Sequence, residues 1–437
     1  MRLRRAAVAA GLFLAVPAFL VLAAGQPLLA QQAPVVTFES MVADLGNDDP
    51  DVRLRAVLAL KGAAYPESAV PLTRSLADGD DRVQVEAIAA ELNIWLGQKV
   101  EPRKRVGMVV EVRNRIDARQ IFLQGPAALD PKPVPLPVLH ALRAAGHDDN
   151  PRVSLEAIYA FGALGDNVYG ADRAALLTAS SAELAAALGV PQGDLREAAM
   201  LVVERLYGWR MGDAGVDPAL GDAVVTALND KSYVVRTAAM RTLGAMRYDR
   251  AVQSLTDMYQ HYGRGPNAAV ALAALARIAH PSSLPLFVEA LGSRDALLKL
   301  PAIEGLARSG ATSQAQAIAS AVLVERNRDV QLAGTFAGVL LNNGSMNELI
   351  EGLAQKRLHD RALGYLIDVA PGRSRTFGPH LPDPQAGVRA DLALVVGLSG
   401  DRDAVSLLQP LMQDPDPIVA RSAQRAAYRL AGSSSQQ

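Results

Sequence analysis

Six histidines, His140, His147, His261, His280, His359 and His380, are the residues best suited to hold a metal or move a proton. His140 and His147 stand two helical turns apart, with Asp148 and Asp149 beside the second. That set falls short of the three or four convergent ligands a zinc site requires, and the chain contains neither H-E-x-x-H nor any His-Glu dipeptide. The acidic clusters Asn47-Asp48-Asp49, Asp78-Gly79-Asp80-Asp81 and Asp148-Asp149-Asn150 lack the alternation ending in a bidentate Glu that a calcium loop needs. Their residue types are those that cap helix N-termini. No G-x-S-x-G, phosphate loop or strand-flanked G-x-G-x-x-G occurs, and the absence of Cys removes thiol chemistry. The sequence therefore assigns no catalytic, cofactor-binding or metal-ligating residue and implies no cofactor.

Two aromatic segments remain. Tyr207-Gly208-Trp209-Arg210-Met211-Gly212 and Tyr259-Gln260-His261-Tyr262-Gly263-Arg264-Gly265-Pro266 combine Tyr, Trp and Arg with Gly, the composition that binding hot spots favour. Tyr207, Trp209, Tyr259 and Tyr262 are accordingly candidate partner-binding residues. The competing reading is that each aromatic covers an exposed apolar layer. The two segments occupy opposite kinds of turn, one after an inner helix and one before, and are not expected to form one site.

The elements that must position these residues come from a repeat. A polar turn hands over to apolar–Arg–x–x–Ala–x–x–x–Leu at eleven places, with Arg53, Gln84, Ser154, Arg196, Arg236, Ala268, Lys299, Gln331, Arg361, Arg389 and Ala420 equivalent. Most of these lie about 30 residues apart, which has room for two short helices and two turns. The gap from Gln84 to Ser154 is long enough for an interrupted extra unit. In one copy Val235, Ala238, Ala239 and Leu243 make a single helical stripe, Asp230 or Ser232 can cap its start, and Gly244 stands where a left-handed C-cap would fall. Neither helix of a pair can bury its stripe alone, so pairs must stack. Eleven or twelve layers at roughly 8–10 Å of helix spacing imply an open arc on the order of 100 Å long.

The pattern resembles the short, phycobilisome-lyase-like HEAT repeats. The likeness is carried by Asp51-Val52-Arg53 with Ala56, Asp149-Asn150-Pro151-Arg152-Val153 with Ala157, Val388-Arg389, and Asp414-Pro415-Asp416-Pro417 with Val419. It covers roughly residues 38 to 432 and implies an all-α superhelical solenoid of about 11–12 helix pairs. In that family the Val-Arg helix is the second of each pair and lines the concave face, its Arg pairing with acids in neighbouring turns. Carried over, Arg53, Arg196, Arg236, Lys299, Arg361 and Arg389 form an inner ladder, broken at Ser154, Ala268 and Ala420. Arg196, Arg236, Lys299, Arg361 and Arg389 join the candidate partner-binding residues. HEAT-repeat hydroxylases hold iron through His-Glu pairs, which this chain lacks. An oxidoreductase or lyase of HEAT type is therefore the disfavoured alternative to a non-catalytic scaffold.

Composition bounds the setting. Basic and acidic residues balance at 44 against 45, which disfavours nucleic acid as a partner. Arg2, Arg4 and Arg5 precede an apolar stretch from Ala6 to Ala24, and Leu28-Leu29-Ala30 offers a small-residue cleavage site, the layout of a secretory signal over residues 1–30. An uncleaved membrane anchor is the alternative reading of the same residues. Domain boundaries follow: a linker at 31–37, repeats at 38–97, an irregular Pro-rich insertion at 98–137, repeats at 138–432 and a disordered tail at 433–437. The function this composes is a secreted or periplasmic scaffold binding a protein or peptide on its concave face.

Overall fold

The computed structural model describes residues 37–98, 116–208 and 215–432, and every element below lies in one unit, Phe38–Gln437. The readings placed on the signal or anchor, on residues 31–36, on the basic and β-branched segment 99–115 and on the tail lie outside the described residues. Among the described residues there is no strand, just an isolated antiparallel bridge between Leu96 and Leu129.

Helices alternate between two rows. The second helices of the pairs form an inner row: α2 (Pro50–Ala63), α4 (Asp81–Trp95), α7 (Pro151–Leu164), α9 (Gly193–Gly208), α11 (Tyr233–Met246), α13 (Pro266–Ile278), α15 (Ala296–Arg308), α17 (Arg328–Asn342), α19 (His359–Val369), α20 (Ala386–Gly397) and α22 (Pro417–Gly432). The first helices form an outer row: α1 (Phe38–Asp44), α3 (Ala69–Leu72), α6 (Leu136–Ala145), α8 (Gly170–Ala187), α10 (Pro218–Thr226), α12 (Val252–Tyr262), α14 (Leu284–Leu291), α16 (Ala315–Leu323), α18 (Asn347–Leu353) and α21 (Val405–Leu408), with the 3₁₀ stretch Ser374–His380 filling the place before α20. Each of the eleven equivalent sequence positions falls at the third or fourth residue of a different inner helix. The fold is an all-α solenoid of HEAT-like pairs, with a single apolar cluster running from Leu45 to Leu430.

Local chemistry explains the inner helices. Asp49, Asp80, Asn150, Asp295 and Asn327 each accept a hydrogen bond from the amide two residues on, capping α2, α4, α7, α15 and α17. Pro50, Pro151, Pro266 and Pro417 open their helices where a missing amide costs nothing. Gly244 is not the C-cap of α11. The helix continues to Met246, and Arg247 takes the left-handed position at φ 51°. Gly244 serves packing instead: a Cβ there would lie 2.8 Å from Ala274 Cα on α13. Gly397 is equally tight against Ala426 of α22, where an added Cβ would lie 2.6 Å from Cα.

These contacts bring successive inner helices close together, whereas the outer helices α12, α14 and α16 pack chiefly on their own inner partners. Wedge-shaped layers of this kind curve tightly, and the open arc does not form. The last helix packs back onto α8 and onto the segment around Pro126–Ala128. Tyr428 stacks on Tyr169 with ring centroids 5.6 Å apart, and Gly432 meets Gly170, whose φ of +58° and backbone contact leave no room for a side chain.

Among the described residues of the long gap between Gln84 and Ser154 no complete helix pair intervenes: α6 and α7 contact α3 and α4 directly. Nor is 98–137 wholly irregular. Within it α5 (Ala118–Gln124), capped by Asp117, lies against α7 and buries Ile121 and Phe122. Pro126 opens a 3₁₀ turn and Pro137 sits in the first turn of α6, so two of the prolines start helical elements.

Candidate functional site

The ladder implied by the repeat is present, and its geometry shows why arginine suits it. Arg53 reaches back to the carbonyls of Asn47 and Asp48 with Nη1 and forward to both oxygens of Asp78, each at 2.7 Å. Arg196 repeats this with Val190, Pro191 and Asp230, and Arg389 with Asp383, Pro384 and Asp414. A planar guanidinium can divide its donors in this way between the turn before its helix and the turn after. The receiving carboxylates also accept the amide two residues on, as Asp78 does from Asp80 and Asp230 from Ser232. Asp230 and Asp414 are held below the usual carboxylate range by the guanidinium bonds of Arg196 and Arg389. The acidic clusters are thus caps and ladder rungs.

Other rungs are adapted. Lys299 pairs with Glu325 at 2.7 Å, and that bond with two backbone amides brings the Glu325 carboxyl down to about 2. Arg236 bonds the carbonyls of Asp230 and Lys231. Gln84 bonds Asp148, Gln331 the carbonyl of Glu325, and Ser154 the carbonyl of Gly146, so Ser154 still reaches back to its turn.

Arg361 belongs to a second constellation, on the inner face. Its Nη1 bonds Glu304 Oε1 at 2.9 Å, and its Nε approaches Asp329 at 3.4 Å. Tyr365 Oη donates to the same Glu304 oxygen at 2.5 Å while its ring stacks on Phe336. Burial and the neighbouring Glu304 push the Tyr365 hydroxyl well above its ordinary value. Arg308 bonds Asp368 at 2.9 Å and approaches Glu304 at 3.4 Å; Asp368 also receives Arg247 at 3.3 Å. Burial alone would lower Arg308, but Asp368 and Glu304 outweigh it and raise the guanidinium. These links join α15 to α19, and the end of α11 to α19, passing over intervening layers. Arg241 pairs with Glu204 at 3.5 Å, and burial lifts the Glu204 carboxyl despite that partner. Arg277 is exposed, yet is enclosed enough that burial, with Arg308 nearby, lowers its guanidinium. The inner face is therefore a fixed array of alternating charge, with Arg241, Arg247 and Arg277 reachable from solvent.

The aromatic candidates separate. Tyr207 is 4% exposed, its hydroxyl 3.4 Å from Ser181 Oγ between α8 and α9. It is core and cannot touch a partner, because the helix of which it is the penultimate residue turns that side inward. Trp209 lies outside the described residues. Tyr259 and Tyr262 are half-buried in the last turn of α12, which extends further than the sequence loop, and the chain turns at Gly263 and Gly265 with positive φ. The structure does not bring Tyr207 together with them.

Sequence reasoning missed the inner cluster. Glu304 and Arg308 share α15, but Asp368 and Arg361 come from α19, and their meeting depends on the curvature, for which the chain gives no local signal. It also missed Glu91, a fully buried carboxyl on α4 near Trp95, whose oxygens accept no well-formed hydrogen bond among the described residues and which burial pushes well above the carboxylate range despite Trp95. His140 and His147 belong to no cluster: among the described residues no group of three His, Cys, Asp or Glu is placed to hold a metal. An apolar crevice of about 300 Å³ lies between α16 and α17, lined by Ile318, Val322 and Leu341. Among the described residues no helix is long and apolar enough to cross a membrane.

No protein-family model matches the chain, and no curated protein matches it. Solved structures do. An engineered protein is 17% identical over 90% of this chain and 98% of its own, with a TM-score of 0.41. The CpcE–CpcF complex of phycocyanin lyase from Nostoc sp. PCC7120 is 19% identical, covering 57% of this chain and 94% of that one, with a TM-score of 0.39. Human deoxyhypusine hydroxylase is 17% identical over 59% and 97%, with a TM-score of 0.29.

Proposed function

We propose that this chain is an exported scaffold that holds a protein or peptide partner against its inner, concave face and performs no chemistry of its own. The observation that carries the reading is the inner charge array. Most of its side chains, Arg241 and Arg247 among them, are held by internal ion pairs, so their positions need not be ordered when a partner arrives, and Arg241, Arg247 and Arg277 keep solvent access. Such a surface offers directional contacts to acidic or amide-bearing groups. Tyr259 and Tyr262 supply half-buried aromatic area at an edge. Export rests on the Arg2-Arg4-Arg5 and Ala6–Ala24 layout of the sequence; an uncleaved anchor would keep the same unit at a membrane surface, and N-terminal sequencing of the mature chain separates the two.

Crosslinking of the full-length protein in cells, followed by mass spectrometry, should recover a stoichiometric partner linked to residues of the inner helices. Arg241→Glu with Arg277→Glu should weaken recovery at least about tenfold without loss of fold, as reversal of reachable interface charges does. Lys299→Glu breaks a rung and should lower the melting temperature while leaving the affinity of folded molecules unchanged. Crosslinks confined to the outer helices, or recovery indifferent to the double substitution, would remove the inner face from consideration.

A further inference from the structure

The seam where α22 meets α8 carries an imbalance of charge. Helix α22 presents Arg421, Arg425 and Arg429 at successive i, i+4 positions, hence on one face. That face turns into the seam. Arg421 lies against Gly97. Arg425 is 4% exposed and spends Nη2 on the Leu129 carbonyl at 2.9 Å and Nε on Asn167 Oδ1 at 3.3 Å. Arg173 of α8 joins them, with its Nη atoms on the carbonyls of Gly165 and Leu206.

Every acceptor in that description is neutral. The buried carboxylate nearby, Asp166, is already paired with Arg205 at 2.6 Å, and Arg205 also bonds the Phe122 carbonyl. Among the described residues no carboxylate forms an ion pair with Arg173, Arg421, Arg425 or Arg429. Among the described residues, the buried atoms Arg429 Nη1 and Arg421 Nε have no acceptor. Burial, together with repulsion from Arg425 and Arg173, takes the Arg429 guanidinium down to about 10, and burial lowers Arg173 and Arg425 as well. Half-buried like charges around the buried Arg425, with buried donor atoms unsatisfied, call for a missing anion.

We propose that this seam is an oxyanion site, in which a phosphate-type group lies against Arg429 and Arg425 beside Tyr169 and joins α22 to α8. A guanidinium fork matches tetrahedral oxyanions in geometry and charge. Tyr169 has its hydroxyl committed to the Pro131 carbonyl at 2.8 Å and its ring to Tyr428, so it forms a fixed wall. Because the anion would touch both ends of the closure, its binding would hold the seam shut. The site is separate from the inner charge array and does not depend on the scaffold reading.

The test uses full-length protein and inorganic phosphate, with sodium chloride at matched ionic strength as control. Phosphate should raise the melting temperature where chloride does not, since a ligand specific to the folded state stabilises it by mass action. Phenyl phosphate in a parallel arm distinguishes a free ion from the end group of a larger ligand: a stronger response to the monoester assigns the latter. Arg429→Gln should fold at least as stably as the parent without phosphate, because an uncompensated cation is gone, and should lose the phosphate response by about tenfold or more. If that variant does not fold, hydrogen exchange on the parent decides: phosphate should protect α22 and residues 165–173. A parent that responds equally to chloride and phosphate, an undiminished response in Arg429→Gln, or protection placed elsewhere each overturns the proposal.

Discussion

At the level of single residues, the repeat signature is a hydrogen-bonding device. Arginine at the fourth position of an inner helix can bond two carbonyls behind it and a carboxylate ahead, and Arg53, Arg196 and Arg389 do so with nearly the same geometry. That role was legible through the resemblance to HEAT repeats, in which this Arg pairs with acids of neighbouring turns. The fate of Tyr207 was not, because a Tyr beside Gly-Trp-Arg reads as surface until the neighbouring α8 is known to cover it. His359 offers a test at this scale. It bonds Asp360 with Nδ1 and Asp391 with Nε2, each at 2.8 Å, linking α19 to α20. Burial pulls its imidazole down, but the two carboxylates outweigh that and raise it. A folded value above the unfolded one, roughly 6.5, means the stabilisation is complete below about pH 6.5 and is lost as pH rises through the folded value. The urea midpoint of His359→Gln should therefore fall further below the parent at about pH 5.5 than at about pH 8.5. Equal gaps would show that the imidazole is not charged by its neighbours.

At the level of elements, the positions of inner helices were readable to within a residue or two because the apolar period and the caps agree. The outer row was less so: several of its members are four to nine residues long and lean on 3₁₀ turns, as in Ala69–Leu72 and Val405–Leu408. Gly244 shows where local reading fails. Its spacing suits a C-cap, but its purpose is set by α13, which approaches closely enough that Ala274 Cα would sit 2.8 Å from an added Cβ. Gly244→Ala would be mildly favourable in an isolated helix. In this protein it should cost about 1–3 kcal/mol, the range for overfilling a packed interior, visible as a lowered denaturant midpoint with an unchanged slope. An unchanged or raised midpoint would mean the two helices can part without penalty. Gly338, with nothing within 4 Å of its would-be Cβ, is the control: Gly338→Ala should be neutral or stabilising.

At the level of the whole unit Phe38–Gln437, the decisive feature is that the last inner helix finds a partner other than α20. An open solenoid frays from both ends, because each terminal layer has one neighbour. Here the two ends differ. α1 buries none of its residues, whereas α22 is held by α20 on one side and by α8 and the Leu129–Asn167 region on the other. Hydrogen exchange should accordingly release α1 early and keep α22 among the protected helices. Gly170→Trp places a large side chain against the Gly432 backbone; it should abolish that protection and enlarge the radius of gyration measured by X-ray scattering, leaving α11 and α13 protected. A variant with parental dimensions and protected α22 would show that the seam is not what holds the helix. Nothing in the period foretold this closure, since a repeat encodes its neighbour contacts and curvature accumulates from sub-ångström differences in side-chain size.

The seam also sets an order of events for the growing chain. Arg425 finds its acceptor 296 residues earlier, at Leu129, and its second one at Asn167. Helix pairs can zip together locally as they emerge, but this bond must wait for the final helix. Until then the carbonyl of Leu129 has only water to satisfy it, while Asn167 keeps its bonds to Asp130 and Tyr169, and any product stopped short of Arg425 keeps an unsealed edge. Quality-control proteases and chaperones would thus meet a marker of incompleteness far upstream of the missing piece.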